Sequence, residues 1–173
     1  MKQQDKKWKE FEYTEAFQQL LRFFLFETPV EGTSCRGRTF KEIGWKGSSR
    51  FQMLERLLKT ASSIDEQNWI YEDVDKIEEL AIIQRNDIQY MVSSNDRGKV
   101  RSVVYAIRNA FAHGSFSKMD NGWYLLENRY RGRLKARMII SEATLLEWIK
   151  IIKTNPEYYT KKNRKMKERN KAA

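Results

Sequence analysis

Apolar side chains recur at helical spacing at Tyr13, Phe17, Leu20, Leu21 and Phe24, which predicts an amphipathic helix from about Lys7 to Phe26. Pro29 and Gly32 break that pattern, and residues 30 to 48 read as a loop rich in Gly and Ser. Ser49-Arg50-Phe51-Gln52 has the form of a capping box and opens a second helix, with Phe51, Leu54, Leu58 and Ala61 on its buried face. From about Asp65 to Val92, the stripe Val74, Ile77, Ala81, Ile88 and Met91 predicts one long helix or two short ones. Ser93-Ser94-Asn95-Asp96 supplies a break and a cap. The helix that follows runs from about Arg97 to His113, and Gly114 is placed as its left-handed C-terminal residue.

Beyond Gly114 the period shortens. Asp120-Asn121-Gly122 is a turn signal with strand-like, aromatic-rich segments around it. Trp123 to Tyr130 is one strand, and another has Leu134, Ala136, Met138 and Ile140 alternating with Lys135, Arg137 and Ile139. Arg131-Gly132-Arg133 is the turn between them. A final helix starts near Ser141, buries Leu145, Trp148, Ile149 and Ile152, and stops at Asn155-Pro156. The fold expected is mainly α: a bundle of four to five main helices with a small antiparallel β-ribbon inserted before the last helix. There is no internal repeat, so residues 1–156 read as one domain and 157–173 as a basic C-terminal tail.

Composition narrows the function. The chain has 173 residues, 40% of them hydrophobic and 13% aromatic, which suffices for a packed core and argues against disorder. No apolar run approaches a membrane span, and the charged start Met1-Lys2-Gln3-Gln4-Asp5-Lys6-Lys7-Trp8 lacks the apolar stretch of a secretion signal, so a cytoplasmic address is the expectation. Cys35 is the single cysteine and His113 the single histidine, which excludes an intrachain disulfide and a Cys/His zinc site from one chain. The formal charge of +10 points to nucleic acid or another acidic partner. Much of it sits in Lys161, Lys162, Arg164, Lys165, Lys167, Arg169 and Lys171, a solvated tail or an anion-binding one.

The helix ending Arg108-Asn109-Ala110-Phe111-Ala112-His113 carries the candidate chemistry. On a helical wheel Val100, Val103, Val104, Ile107 and Phe111 share one face, which packs into the core. Ser102, Tyr105, Ala106, Asn109, Ala112 and His113 fall on the opposite half, which is small and semi-polar where a solvated face would carry long charges. A second helix can approach such a surface closely, so the expectation is a cover formed by the same helix of a twofold-related copy. Ser102, Tyr105, Ala106 and Ala112 are the interface candidates. Two such patches across a dimer would form one composite site.

Arg-Asn-Ala-Phe-Ala-His-Gly at a helix end in a small helical protein resembles the signature of the HEPN superfamily, whose motif is Arg, four to six residues, then His, commonly with a polar residue after the Arg. Here four residues intervene and Asn109 takes the polar position. The resemblance covers most of residues 7 to 155, with only the motif specific. It implies an HEPN-like bundle that dimerises through the motif helix, and a metal-independent endoribonuclease without a cofactor. His113 would act as the acid/base or phosphate-orienting residue, Arg108 would contact the scissile phosphate, and Asn109 would orient the pair. It further implies a toxin or phage-defence effector, restrained by an antitoxin of nucleotidyltransferase type. One departure is that Ser115 stands where a nucleotide-modified group of HEPN toxins has Tyr, so that control is not expected in the same form.

The chemistry is coherent on its own terms. RNA carries its own nucleophile in the 2′-hydroxyl. An imidazole transfers protons near neutral pH, and a guanidinium stabilises the pentacoordinate phosphate bidentately. Cleavage of this kind leaves a 2′,3′-cyclic phosphate and a 5′-hydroxyl. The alternatives are a catalytically silent HEPN module that binds RNA or a protein partner, and a DNA-binding regulator, for which no recognition helix is evident. Gly32-Thr33-Ser34-Cys35-Arg36-Gly37-Arg38-Thr39 echoes a P-loop but has Arg38 where Lys is required. Cys35 reads as a buried or idle thiol. Two basic segments are RNA-binding candidates. In the loop, Arg36, Arg38, Lys41, Lys46 and Arg50 surround Phe40 and Trp45, which either stack on bases or tuck into the core. In the ribbon, Arg129, Arg131, Arg133, Lys135 and Arg137 fall on alternate positions, which puts several on one strand face.

Overall fold

The computed structural model describes residues 14–32, 37–61, 98–119 and 122–171. The helix predicted over 65–92, its cap at 93–96, Tyr13, the turn residues Asp120 and Asn121, Cys35 and Arg36 lie outside the described residues, as does half of the P-loop echo, residues 33–36. The architecture is mainly α. Helices α1 (Glu15–Arg22), α2 (Ser48–Ala61) and α3 (Lys99–Ala112) precede strands β1 (Phe116–Met119), β2 (Trp123–Tyr130) and β3 (Arg133–Ser141), and α4 (Glu142–Lys153) and α5 (Pro156–Lys171) follow. The strands form an antiparallel meander in the order β1-β2-β3. The small sheet inserted after the motif helix is therefore present, with a third strand at its near edge.

α1 begins where Thr14 accepts a hydrogen bond from Phe17 N, an N-cap that satisfies one orphan donor. Regular α geometry stops at Arg22 instead of reaching Phe26, and the chain continues as a π-helical turn, Phe23–Glu27. The consecutive Phe23 and Phe24, in this turn, are both buried in the core. Buried Thr28 closes the turn, its hydroxyl donating to Phe24 O at 2.7 Å and to Phe23 O at 3.2 Å. α2 starts at Ser48, so Ser49 lies inside the first turn and does not cap it.

Two indoles tie helix ends together. Trp45 Nε1 donates to Ile152 O at 2.9 Å, and Trp148 Nε1 donates to Leu58 O at 2.8 Å. Both acceptors lie in the last turns of their helices, α4 and α2, where carbonyls have no partner within the helix. Neither ring is left to solvent: Trp45 is 0% and Trp148 1% exposed. Phe40, at 1%, is equally buried. Of the two readings of the loop aromatics, the structure gives the second: Phe40 and Trp45 tuck into the core.

The Asn155-Pro156 stop is also a start. Asn155 Oδ1 accepts from Glu157 N at 2.9 Å, and Pro156 opens α5, where its missing N–H costs nothing. The basic tail is thus a helix to Lys171, anchored by Tyr159 against Trp45, and α4 is not the last helix.

α3 is the central element. Its predicted core face is buried, but so are Ser102 and Ala106, at 3% and 2%. The second face is covered by the chain itself, which corrects the assignment of Ser102 and Ala106 to a dimer interface. What stays partly open is a narrow stripe, Arg101, Tyr105, Arg108 and Ala112, spaced at four, three and four residues.

Substituting Phe for Trp45 should leave the Ile152 carbonyl buried without a donor and lower stability by about 1–3 kcal/mol. Urea denaturation reads this as a lower midpoint, and an unchanged midpoint would show that the indole N–H contributes nothing. Gly114 has φ +64° with nothing near an added Cβ, so Gly114→Ala carries only the left-handed backbone cost of about 1 kcal/mol. Thermal unfolding should fall by about 2–4 °C for a domain of this size.

Candidate functional site

The site is built by the way α3 ends. His113 is the C-cap residue, and Gly114 takes the left-handed conformation. Ser115 N donates to Ala110 O at 2.8 Å and Gly114 N to Phe111 O at 3.3 Å, the paired bonds of a Schellman motif. The chain then reverses. Glu127 N donates to Ser115 O at 2.9 Å, which fastens β2 to the helix end. Tyr124 lies 6.0 Å from Phe111 between ring centroids, and Asn128 reaches Asn109, so β2 packs across the last turns of α3.

Arg108 and Asn109 are brought together. Arg108 Nη1 donates to Asn109 Oδ1 at 3.0 Å. Asn109 Nδ2 donates to Asn128 Oδ1 at 3.3 Å. A guanidinium can only donate, so it fixes which end of the Asn109 amide faces it. The amide hydrogens must then face β2, where Asn128 presents its carbonyl. Asn109 is buried at 8% exposure with both ends of its amide bonded. Arg108 is half-buried and forms no ion pair with a carboxylate among the described residues, and its Nε is buried without a hydrogen-bond partner. Such a donor costs about 1–3 kcal/mol.

His113 is not joined to this chain of bonds. Five residues beyond Arg108, it lies about 140° around the helix axis. Its side chain is exposed at the C-cap and has no hydrogen-bond partner among the described residues. Asn109, four residues before it, is nearer in angle and is turned toward Arg108. Of the interface candidates, Tyr105 is partly buried against the core, and Ala112 is exposed beside His113.

The ribbon cations divide. Glu127 accepts from Arg129 at 3.1 Å and from Arg137 at 2.9 Å, so these two are partnered on one face. A register shift between Asn128 and Arg129 makes Lys135 the extra residue of β3. Leu134 then stands opposite Arg129, and Arg133 opposite Tyr130. Opposed residues share a face, so the shift moves Arg133 away from Arg137 and onto the side of Tyr130. Of the alternate cations expected to put several on one strand face, Arg129 and Arg137 share the face of Glu127 and Arg133 does not. Leu134 is buried, but outside the central cluster that holds Ala136, Met138 and Ile140. Arg131 has φ +50° and lies 5.3 Å from the centre of the Tyr130 ring.

The loop cations serve local structure in part. Arg50 Nη1 donates to Gly44 O at 2.7 Å. Lys41 and Lys46 are exposed. Arg38 lines a groove of about 400 Å³ with Arg22, Phe26, Glu27 and Lys153, and is not brought to Arg108. In that groove Glu27 binds Lys153 at 2.7 Å and Arg22 at 2.8 Å, and the Lys153 hydrogen bond chiefly holds its carboxyl below the ordinary range.

Sequence reasoning missed Asn128 and Arg101. Asn128 was detectable as a polar residue in the inward phase of β2, after Tyr124 and Leu126. Arg101, whose guanidinium sits 4.5 Å from the Phe51 ring centre, shares the open stripe of α3 with Arg108. No cluster of metal-ligating side chains occurs among the described residues, and no helix among them is long and apolar enough to cross a membrane. The chain matches no protein-family model, no curated protein and no solved structure.

Proposed function

We propose that this protein is a metal-independent endoribonuclease of the HEPN kind, working as a homodimer without a cofactor. What supports the reading most is the state of Arg108. It is a half-buried guanidinium, aimed by a buried asparagine and lacking a carboxylate partner among the described residues. A cation held this way is matched to an anion from outside the chain, and a phosphodiester fits its planar donors.

In the proposed reaction, Arg108 binds the non-bridging oxygens of the scissile phosphate and stabilises the charge that builds there. His113 removes the proton of the 2′-hydroxyl or returns one to the departing 5′-oxygen. The 2′-oxygen bonds to phosphorus as the bond to the 5′-oxygen breaks, leaving a 2′,3′-cyclic phosphate and a 5′-hydroxyl. Asn109 keeps the guanidinium in place, and Asn128 keeps Asn109 in place. Because His113 and Arg108 lie far apart around one helix, the His113 that acts comes from the second copy. The contact would be the open stripe of α3 around Tyr105 and Ala112. Roles as a toxin or phage-defence effector, with an antitoxin of nucleotidyltransferase type, extend the same reading, as does a cytoplasmic location.

The test is cleavage of single-stranded RNA in EDTA. Wild type should cleave, and His113→Ala and Arg108→Ala should each lose roughly 100- to 10,000-fold in kcat. Equal activity in all three would discard the site. Binding that needs Arg108 without any cleavage would leave an RNA-binding module in place of an enzyme. Light scattering should give a dimer at micromolar concentration, and a strict monomer that still cleaves would discard the composite arrangement. Asn128→Ala should lower kcat with little change in KM, while Asn128→Asp, which keeps an acceptor for Asn109 Nδ2, should retain most of the rate. A matching loss in both variants would show that the hydrogen bond does not position Asn109.

A further inference from the structure

The far end of β2 carries an aromatic side chain that the core does not use. Tyr130 is 60% exposed, whereas Tyr124 and Leu126, in the same phase of the strand, are buried at 0% and 2%. Strand alternation places Tyr130 on the face shared by Tyr124, Leu126 and Asn128. It lies one step, about 7 Å, beyond Asn128. Asn128 meets Asn109, the residue that orients Arg108, so Tyr130 is the next same-face position of β2 beyond the candidate site. The register shift sets Arg133 directly opposite Tyr130, and the Arg131 guanidinium lies 5.3 Å from the ring centre. Arg131 and Arg133 are both exposed, and neither forms an ion pair with a carboxylate among the described residues. Their neighbours Arg129 and Arg137, by contrast, are held by Glu127.

We propose that Tyr130 is a base-stacking subsite for single-stranded RNA flanking the phosphate bound at Arg108, with Arg133 and Arg131 holding the adjoining backbone. The inference rests on the RNA reading of the Arg108 site and names the contact that places the strand across it. Every nucleobase offers a π-face, so the subsite fixes the path of the strand without selecting a base by its hydrogen-bonding edge. A cation near the ring face adds to the attraction and neutralises the backbone as it passes. The bulge is the device that builds the subsite. Without the extra Lys135, Arg133 would fall on the opposite face, and only Arg131 would remain beside the ring.

The experiment is fluorescence anisotropy of a labelled single-stranded oligonucleotide whose 2′-hydroxyls are methylated, so that it binds but is not cut. Tyr130→Ala should weaken binding by roughly 5- to 100-fold, the range for losing one stacked base. Tyr130→Phe should bind like wild type, and Tyr130→Trp should bind at least as tightly, its fluorescence quenched on adding the oligonucleotide. An oligonucleotide of the same length made only of abasic nucleotides should not distinguish Tyr130→Ala from wild type. Unchanged affinity in Tyr130→Ala would overturn the proposal. So would an equal loss in Tyr130→Phe, which would assign the effect to the hydroxyl, or an equal loss on the abasic strand, which would assign it to charge. These readings involve no cleavage, so an inert wild type in the EDTA assay would overturn the nuclease and leave the stacking result to stand or fall separately.

Discussion

Everything at the candidate site hangs on one backbone reversal. Gly114 adopts a left-handed conformation that costs other residues about 1–2 kcal/mol, and it does so directly after the helix that carries the motif. The Schellman bonds close α3 and turn the chain out of the helix into the sheet that packs against it. Phe116, two residues on, returns to the ring of Phe111 at 5.1 Å, and Phe111 also meets Phe24 at 5.5 Å. Phe17 stacks on Tyr124 at 6.2 Å within the same group. Burying side chains of this size is worth about 1.5–3 kcal/mol each, far more than a single polar contact. Aromatic packing therefore holds the sheet against the helix, and the Asn109–Asn128 bond is aligned by it. The polar arrangement is a consequence of the apolar one.

The arginines separate by what surrounds them. Arg129 and Arg137 share a carboxylate, and Arg22 pairs with Glu27. The pairs made by the exposed Arg22 and Arg129 contribute little net stability, about 0–1 kcal/mol. Arg108 is held differently. Its partner is a neutral amide, itself buried and fully bonded, so its direction is fixed while its charge is not cancelled. A carboxylate in place of Asn109 would make a stronger pair and a poorer anion receptor. This is a physical reason for an amide beside the arginine, and it stands apart from any resemblance.

Much of this was legible along the chain, and the failures have specific causes. The apolar stripe of α3 and the role of Gly114 followed from periodicity and backbone chemistry, because both are local. The small residues Ser102 and Ala106 correctly signalled close packing. The wheel alone did not say whether the cover came from another copy or from the chain itself, and their burial within the chain gives the second answer. The bulge was hidden because Leu134, Ala136, Met138 and Ile140 alternate without interruption, and a single slip in pairing leaves no trace in such a pattern. Trp45 and Phe40 sit among basic residues in a loop, where composition suggested a nucleic-acid surface. The burial of Trp45 depends on a carbonyl partner far along the chain, at the separation of 107 between Trp45 and Ile152, while Phe40 packs against the Phe51 ring at 5.5 Å. The π-helical turn at Phe23–Glu27 likewise left no trace in the apolar spacing of the first helix.

The geometry of α3 constrains any enzyme built on it. On the proposed reading, the proton carrier and the phosphate clamp stand five residues apart, about 140° around the axis of one straight helix. The side-chain arrangement does not compensate, since Arg108 leans onto Asn109 and His113 caps the helix outside that contact. A twofold axis near the exposed Ala112 removes the difficulty, because the two helix ends then present both groups from both copies to one cleft. The same symmetry would double the strand path, with a Tyr130 platform on each side of the axis. On the proposed reading, the small exposed residue at Ala112 matters because it lets two helix ends approach closely. A bulky side chain there would separate clamp from proton carrier without touching either, leaving RNA bound at Arg108 and uncut.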